Sequence, residues 1–339
     1  MEKIDKGKTF KLKFSFNIIN DSYVKGVLNN TFIVFETFNN LSYLIYSSKY
    51  ALINCYDIIN FQKICEIKDD VVNSCNYVNF NHYSDKKNKR DLVISIYCKW
   101  DTLKIWNVNN WECLLILSNI NNGSALGCCC FLETKNKNEL YIITSCRNNK
   151  NNLEPIKVFN LEGKKINDIK NSSYGSMYIE SFYDNKYNKN YIFSCNMNCV
   201  RSYDFQEKSI YHEYFDKKEN ELYNHALVYE YENKLTLIST CFQGSIRFWD
   251  FHNNILIKKI NITPPMIFEC GIWDDEYLFV GSDALKLINL KNGEIKYFED
   301  HKNTVVNIKI IKQRDYGKCV ISQGIGYNKI ILWIFDDKN

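Results

Sequence analysis

The chain has 339 residues, of which 45% are hydrophobic, 24% charged and 15% aromatic, with a formal net charge of +4. That apolar share supports a sizeable core, and the aromatic content favours strands over helices. The small charge excess gives no reason by itself to expect a nucleic-acid or membrane partner.

Length alone suggests about two domains, but internal repeats override that prior and are sought first. The amino terminus, Met1-Glu2-Lys3-Ile4-Asp5-Lys6, is charged and lacks the apolar core of a signal peptide. The first predicted element is a strand over residues 8–16, "TFKLKFSF", with Phe10, Leu12, Phe14 and Phe16 on one face and Lys11, Lys13 and Ser15 on the other. Four strands then fit between Phe32 and Ile67, including "ALINCYDI" around Tyr56. Residues 72–117 read as "VNSCNYVNF", "DLVISIYC", "LKIWNV" and "CLLIL", with Trp106 in the third run. The third run recurs as "IKVFNL" at Phe159 within 124–169 and as "VRSYDF" at Tyr203 within 176–214. Residues 225–260 read as "HALVYEYE", "LTLISTCF", "SIRFWDF" and "ILIKKI", with Trp249 in the third. "LKLINL" at Ile288 within 266–299 and "IILWIF" at Trp333 within 304–335 complete the set.

Successive anchors, from Tyr56 to Trp333, are 50, 53, 44, 46, 39 and 45 residues apart. That is the period at which four short strands make one propeller blade, roughly 40–45 residues with extra loop in some. The ends agree. Only Asp336-Asp337-Lys338-Asn339 follow the last anchor run, so the seventh blade lacks a fourth strand, while 8–16 is a strand to spare. Closing the ring by pairing that strand with the last blade removes both exposed edges. The expected fold is all-β: one seven-bladed propeller domain over residues 1–339. "SIRFWDF" is then the third strand of blade five, with one set of its side chains against each neighbouring blade.

No run approaches the roughly 18 apolar residues of a membrane span. The fourteen cysteines sit mostly in apolar runs, as Cys128-Cys129-Cys130 does, where Cys behaves as a small buried hydrophobe. A reduced, intracellular compartment (cytoplasm or nucleus) is expected.

On its aromatic-Asp/Asn pairs (Tyr56-Asp57, Trp106-Asn107, Tyr203-Asp204, Trp249-Asp250), the chain resembles the WD40-repeat proteins over essentially its whole length. The pattern is diverged: His225 and His301 stand where the family carries Gly-His, and neither follows Gly. Gln243 replaces the family's turn Asp in blade five, with Asp101 and Asp283 about one residue from that place in other blades. The resemblance implies partial His–Ser–Trp networks: His225 with Ser239 or Thr240 and Trp249, and His301 with Ser322 and Trp333. Apolar packing is expected to carry more of each blade's stability.

Three inserts, "NHYSDKKNKRD", "ETKNKNE" and "RNNKNNLEP", lengthen the period. The basic run Lys86-Lys87-Asn88-Lys89-Arg90 is bracketed by Asp85 and Asp91 and lacks interleaved aromatics, so it reads as a solvated loop rather than a phosphate grip. The five histidines are scattered and no Cys-x-x-Cys occurs. Cys195 and Cys199 read as a core and a turn cysteine, and Cys129 must face away from Cys128 and Cys130. There is no Gly-x-Ser-x-Gly elbow, and "SQGIGYNK" lacks the helix a phosphate loop needs. The family's Phe-Arg-Arg-Gly lipid signature is absent, as is the Arg of Trp-Asp-x-Arg after Trp249-Asp250. No catalytic, metal or cofactor-binding residue is therefore assigned.

The turn between second and third strands opens on the upper face, where the resemblance implies peptide binding. Six residues before the anchors stand Tyr50, Trp100, Met197, Gln243, Ser282 and Tyr327, and one earlier lie Lys49, Lys99 and Phe242. Tyr327, Tyr50 and Trp100 become neighbours once the ring closes. With Lys49 and Lys99 they suit an interface hot spot or a peptide carrying acidic groups. The expected function is a non-enzymatic scaffold or adaptor in a multiprotein complex, with Lys49, Tyr50, Lys99, Trp100, Phe242, Gln243 and Tyr327 as partner-binding candidates. The alternatives are an enzyme with its site in the central channel, signalled by a polar cluster on the inner strands, and a lipid- or RNA-binding propeller with a basic stripe. Neither nucleic acid nor lipid is indicated as a partner.

Overall fold

The structure, a computed structural model, describes residues 9–20, 32–47, 52–68, 78–97, 101–121, 125–135, 137–146, 155–169, 175–217, 219, 221–231, 233–301, 303–313, 317–325 and 329–338. Its strands form seven four-stranded antiparallel sheets. A lone strand, β1 (Thr9–Asn20), is followed by blade one: β2 (Phe32–Glu36), β3 (Ser42–Ser47), β4 (Ile53–Asp57) and β5 (Gln62–Ile67). Blade two holds β6 (Val78–Asp85), β7 (Arg90–Tyr97), β8 (Thr102–Asn107) and β9 (Glu112–Ser118). Blade three holds β10 (Leu126–Thr134), β11 (Glu139–Cys146), β12 (Ile156–Asn160) and β13 (Lys165–Ile169). Blade four holds β14 (Tyr178–Asp184), β15 (Lys189–Cys195), β16 (Val200–Asp204) and β17 (Ser209–Tyr214). Blade five holds β18 (Tyr223–Tyr231), β19 (Lys234–Cys241), β20 (Ser245–Asp250) and β21 (Ile255–Asn261). Blade six holds β22 (Cys270–Ile272), β23 (Tyr277–Gly281), β24 (Leu285–Asn289) and β25 (Ile295–Phe298). Blade seven holds β26 (Val305–Gln313), β27 (Gly317–Gly324) and β28 (Lys329–Lys338), and β1 completes it in the order β1-β28-β27-β26.

The expected ring closure is therefore present, with Leu12 opposite Phe335 and Phe16 opposite Leu332. First strands of successive blades touch all the way round, including β26 with β2. The molecule is a seven-bladed β-propeller. Among the described residues no helix is long and apolar enough to cross a membrane.

Alternation in each strand feeds two cores at once. Seven buried clusters fill the seven inter-blade seams, and the closing seam joins Phe32, Leu44 and Tyr46 of blade one to Cys319, Ile330 and Leu332 of blade seven. In β20, Ile246 and Phe248 enter the seam with blade six while Trp249 packs toward blade four. Cys128 and Cys130 face blade four and Cys129 faces blade two, as strand periodicity requires.

The recurring Asp or Asn after each anchor also has a local cause. Asp57 Oδ1 accepts the backbone N–H of Ile59 at 2.8 Å, and Asp204 Oδ1 accepts those of Gln206 and Glu207 at 3.0 Å. Asn107, Asn160, Asp250 and Asn289 accept turn N–H groups in the same manner. The side chain ends the third strand by satisfying the donors of the turn that follows. These turns place Phe61, Trp111, Gly163, Lys208, Asn254 and Gly293 at positive φ. In blade seven Ile334 takes the Asp/Asn place, and there the strand runs on along β1 instead of turning.

Candidate partner-binding face

Five of the seven sequence-predicted residues, Lys49, Tyr50, Lys99, Trp100 and Tyr327, lie outside the described residues. Phe242 and Gln243 form the turn between β19 and β20, at the upper rim of blade five. Two crossovers converge on this turn: the one entering blade five, through Glu221 and Leu222, and 262–269, which leaves it. Phe242 N–H donates to Leu222 O at 3.0 Å and Met266 N–H donates to Phe242 O at 2.7 Å. Gln243 Oε1 accepts Leu222 N–H at 2.9 Å, so this glutamine ties turn to crossover. Gly244, at φ +87°, permits the closure, since a Cβ there would lie 2.7 Å from Ile262 O.

The result is an apolar group facing outward. Leu222 is 36% exposed, Phe215 39% and Met266 50%. Phe242 is half-buried, its ring edge-on to Phe268 at 5.4 Å. Phe242 and Gln243 lie in the turn expected from the sequence; Leu222 and Met266 beside them are not marked in the sequence, because crossovers carry no alternation.

Beneath this group Arg247 is completely buried. Its guanidinium contacts the Glu221 carboxylate, lies 2.8 Å from Glu219 and 3.5 Å from Asp216, and donates to Ser245 Oγ at 2.8 Å. Lys259 reaches Glu219 at 2.6 Å and, with Arg247, holds that carboxyl below its usual range, Lys259 being the larger cause. Three carboxylates and two cations make up this network, and by sequence the same crossover also carries Lys217 and Lys218, so the rim is not acidic overall.

Arg247 belongs to a repeated set that sequence reading also missed. Lys104, Lys157, Arg201, Arg247 and Lys286 each stand two residues before an anchor, and all are buried. Lys157 donates to Ile120 O at 2.6 Å and Lys286 to Thr263 O at 3.3 Å, so each pins the crossover into its own blade, as Arg247 does through Glu221. Arg201 pairs with Glu213 at 2.6 Å, and Lys104 lies over the Tyr97 and Trp106 rings. Stacking the seven anchor runs by position makes the signal visible.

The predicted polar networks are partly as expected. His301 Nε2 lies 2.7 Å from Ser322 Oγ, which accepts Trp333 Nε1–H at 2.6 Å. Gly324 leaves space for that imidazole, because a Cβ would come within 2.7 Å of its Nδ1. Burial pushes His301 down to about 4. In blade five Trp249 donates to Ser239 at 3.1 Å, and blade two repeats this with Trp106 and Ser95 at 2.8 Å.

His225 departs from expectation. It sits within β18 rather than in the crossover before it, so its ring turns to the blades on either side instead of to Ser239, Thr240 or Trp249, and Thr240 Oγ1 reaches only its backbone O, at 3.4 Å. It lies 3.5 Å from Glu269, 3.8 Å from Cys270 Sγ and against the Tyr178 ring at 4.6 Å. Burial, with the Lys309 charge, keeps it neutral. Glu269 also accepts Ile308 N–H at 2.8 Å and binds Lys309 at 2.5 Å, bridging blades six and seven. Glu180, on β14, is half-buried and its carboxyl is raised by burial.

On the lower rim, Asp85 pairs with Arg90 at 2.9 Å and accepts two bonds from Asn88, so the basic run 86–90 forms an exposed turn tied to its own bracket. Among the described residues no group of three or more His, Cys, Asp or Glu could hold a metal ion. Compared with known proteins, the chain matches no family model, and no curated protein matches it. What identifies it is its architecture, seven wedges of four antiparallel strands closed into a ring.

Proposed function

We propose that this propeller is a diverged WD40-repeat protein acting as a non-enzymatic scaffold inside the cell, a subunit of a larger complex that takes partner peptides on its upper face. The reading rests on one observation: Leu222, Phe242 and Met266, from a turn and two crossovers, form an outward apolar group beside a paired network of carboxylates and cations. That combination suits an apolar anchor side chain on the partner. The Trp–Ser pairs, the His301–Ser322–Trp333 chain and the Asp/Asn turns support the WD40 resemblance. Lys49, Tyr50, Lys99, Trp100 and Tyr327 are the proposed second patch, suited to acidic groups.

The second reading, an enzyme with its site in the central channel, is favoured by the polar cluster of His225, Glu269 and Lys309 on and beside the inner strands. The proposal is tested by affinity capture from the native cell with wild type, Phe242→Ala/Met266→Ser and Trp100→Ala/Tyr327→Ala, each checked for an unchanged melting temperature. Partner recovery falls roughly tenfold or more in at least one double variant, the loss of one or two hot-spot side chains. Unchanged recovery with both overturns the reading.

A further inference from the structure

Cys55 on β4 and Cys65 on β5 stand directly opposite each other in the antiparallel ladder. Among the described residues no other two cysteines are paired in this way. Opposed residues of an antiparallel pair have Cα atoms about 4.5 or 5.5 Å apart, and a disulfide needs roughly 4.4–6.8 Å. Both side chains point to the same face, into the seam with blade two. The ladder has a bulge between Cys55 and Tyr56, which gives the backbone beside the pair freedom to adjust.

The two thiols differ in a useful way. Cys55 is fully buried, while Cys65 is half-buried on the outermost strand of its blade, where a small molecule can approach from the rim. Both are free. The neighbouring Cys55 sulfur, with a smaller contribution from Lys63, holds the Cys65 thiol below its ordinary value against burial. Cys55 is raised, first by the Cys65 sulfur beside it and then by burial.

We propose that Cys55 and Cys65 form a reversible dithiol–disulfide site that reacts with low-molecular-weight disulfides of the glutathione type. The Cys65 thiolate attacks one sulfur of the small disulfide, whose S–S bond breaks and releases one thiolate. The mixed disulfide on Cys65 no longer carries the charge that raised Cys55. Cys55 then loses its proton and attacks the Cys65 sulfur, displacing the second small thiolate. Two protein thiols are oxidised, one small disulfide is reduced, and both thiol protons end on the two released thiols. Cys65 is the attacking residue and Cys55 the resolving one.

The test uses the full-length folded protein in graded glutathione–glutathione disulfide buffers, read by intact mass and peptide mapping. Wild type gains a Cys55–Cys65 link and retains no glutathione there. Cys55→Ser accumulates a stable glutathione adduct on Cys65, and Cys65→Ser leaves Cys55 unmodified. Capture of Cys65 is roughly tenfold faster than that of the half-buried Cys113, which faces Trp106. Melting curves show whether each variant is folded, and alanine replaces serine in any that is not. A wild type that stays dithiol where dithiothreitol is fully oxidised overturns the proposal. So does one that keeps the adduct on Cys65, or that forms the link only after denaturation.

Discussion

At position 301 an imidazole is held in a buried chain with Ser322 and Trp333, where protonation is disfavoured. Burial is the main cause; Asp300 opposes it and Lys329 adds to it. The folded protein binds this proton only near pH 4, whereas an unfolded histidine binds it near 6.5. Between those values the unfolded state holds more protons, so stability falls as pH drops from 6.5 toward 4. The full effect is up to roughly 3 kcal/mol. His225, also held neutral, acts in the same direction. Urea midpoints measured from pH 7 to 5 should decline in wild type and decline less in His301→Gln. Equal slopes would show that this site does not drive the acid sensitivity.

An anchor run works as an element because its parts act in series. The aromatic fills a seam, the cation two residues before it reaches a crossover or a neighbouring side chain, and the Asp or Asn after it closes the turn. In blades one to five a register shift falls beside the anchor, adding twist where the outer strand begins. Asp250 shows the turn's contribution, since it accepts His252 and Asn253 N–H and the Asn253 side-chain amide. Those bonds also hold its carboxyl below the usual range against burial, the largest opposing influence. Asp250→Ala should cost about 1–2 kcal/mol in chemical denaturation, like the loss of a helix cap. Asp250→Asn should cost less than half of that, because Asn107, Asn160 and Asn289 serve the same turn in other blades. Equal losses would mean that charge, not acceptor geometry, stabilises the turn.

For the whole molecule, closure is the decisive contact. Seven seams hold seven blades, and the two ends of the chain meet in one sheet, where Leu12 of β1 packs into the seam between blades six and seven. β1 covers the full length of β28, so removing it would expose a long apolar edge. A chain beginning at Asp21 should lose its cooperative melting transition and elute as oligomers in size-exclusion chromatography. A synthetic peptide of residues 9–20 added during refolding should restore the monomer. A truncated chain that melts and elutes like wild type would remove closure as the source of stability.

Blade count, strand order within a blade, the strand that closes the ring and the opposed faces of Cys128 and Cys129 were all legible in the amino-acid order. Each follows from a period of two within strands or a period near 45 between anchors, and such periods survive wide divergence of individual residues. The partner of His225, the convergence of Leu222, Phe242 and Met266, and the pairing of Cys55 with Cys65 were decided by the tertiary structure. Alternation says which face of a strand a side chain takes, but not which residue of the next blade meets it. Crossovers have no period, and a single bulge shifts the register of the outer strand. Those contacts are set by how twisted wedges dock around a closed ring, a property of the assembled disc and not of any one segment.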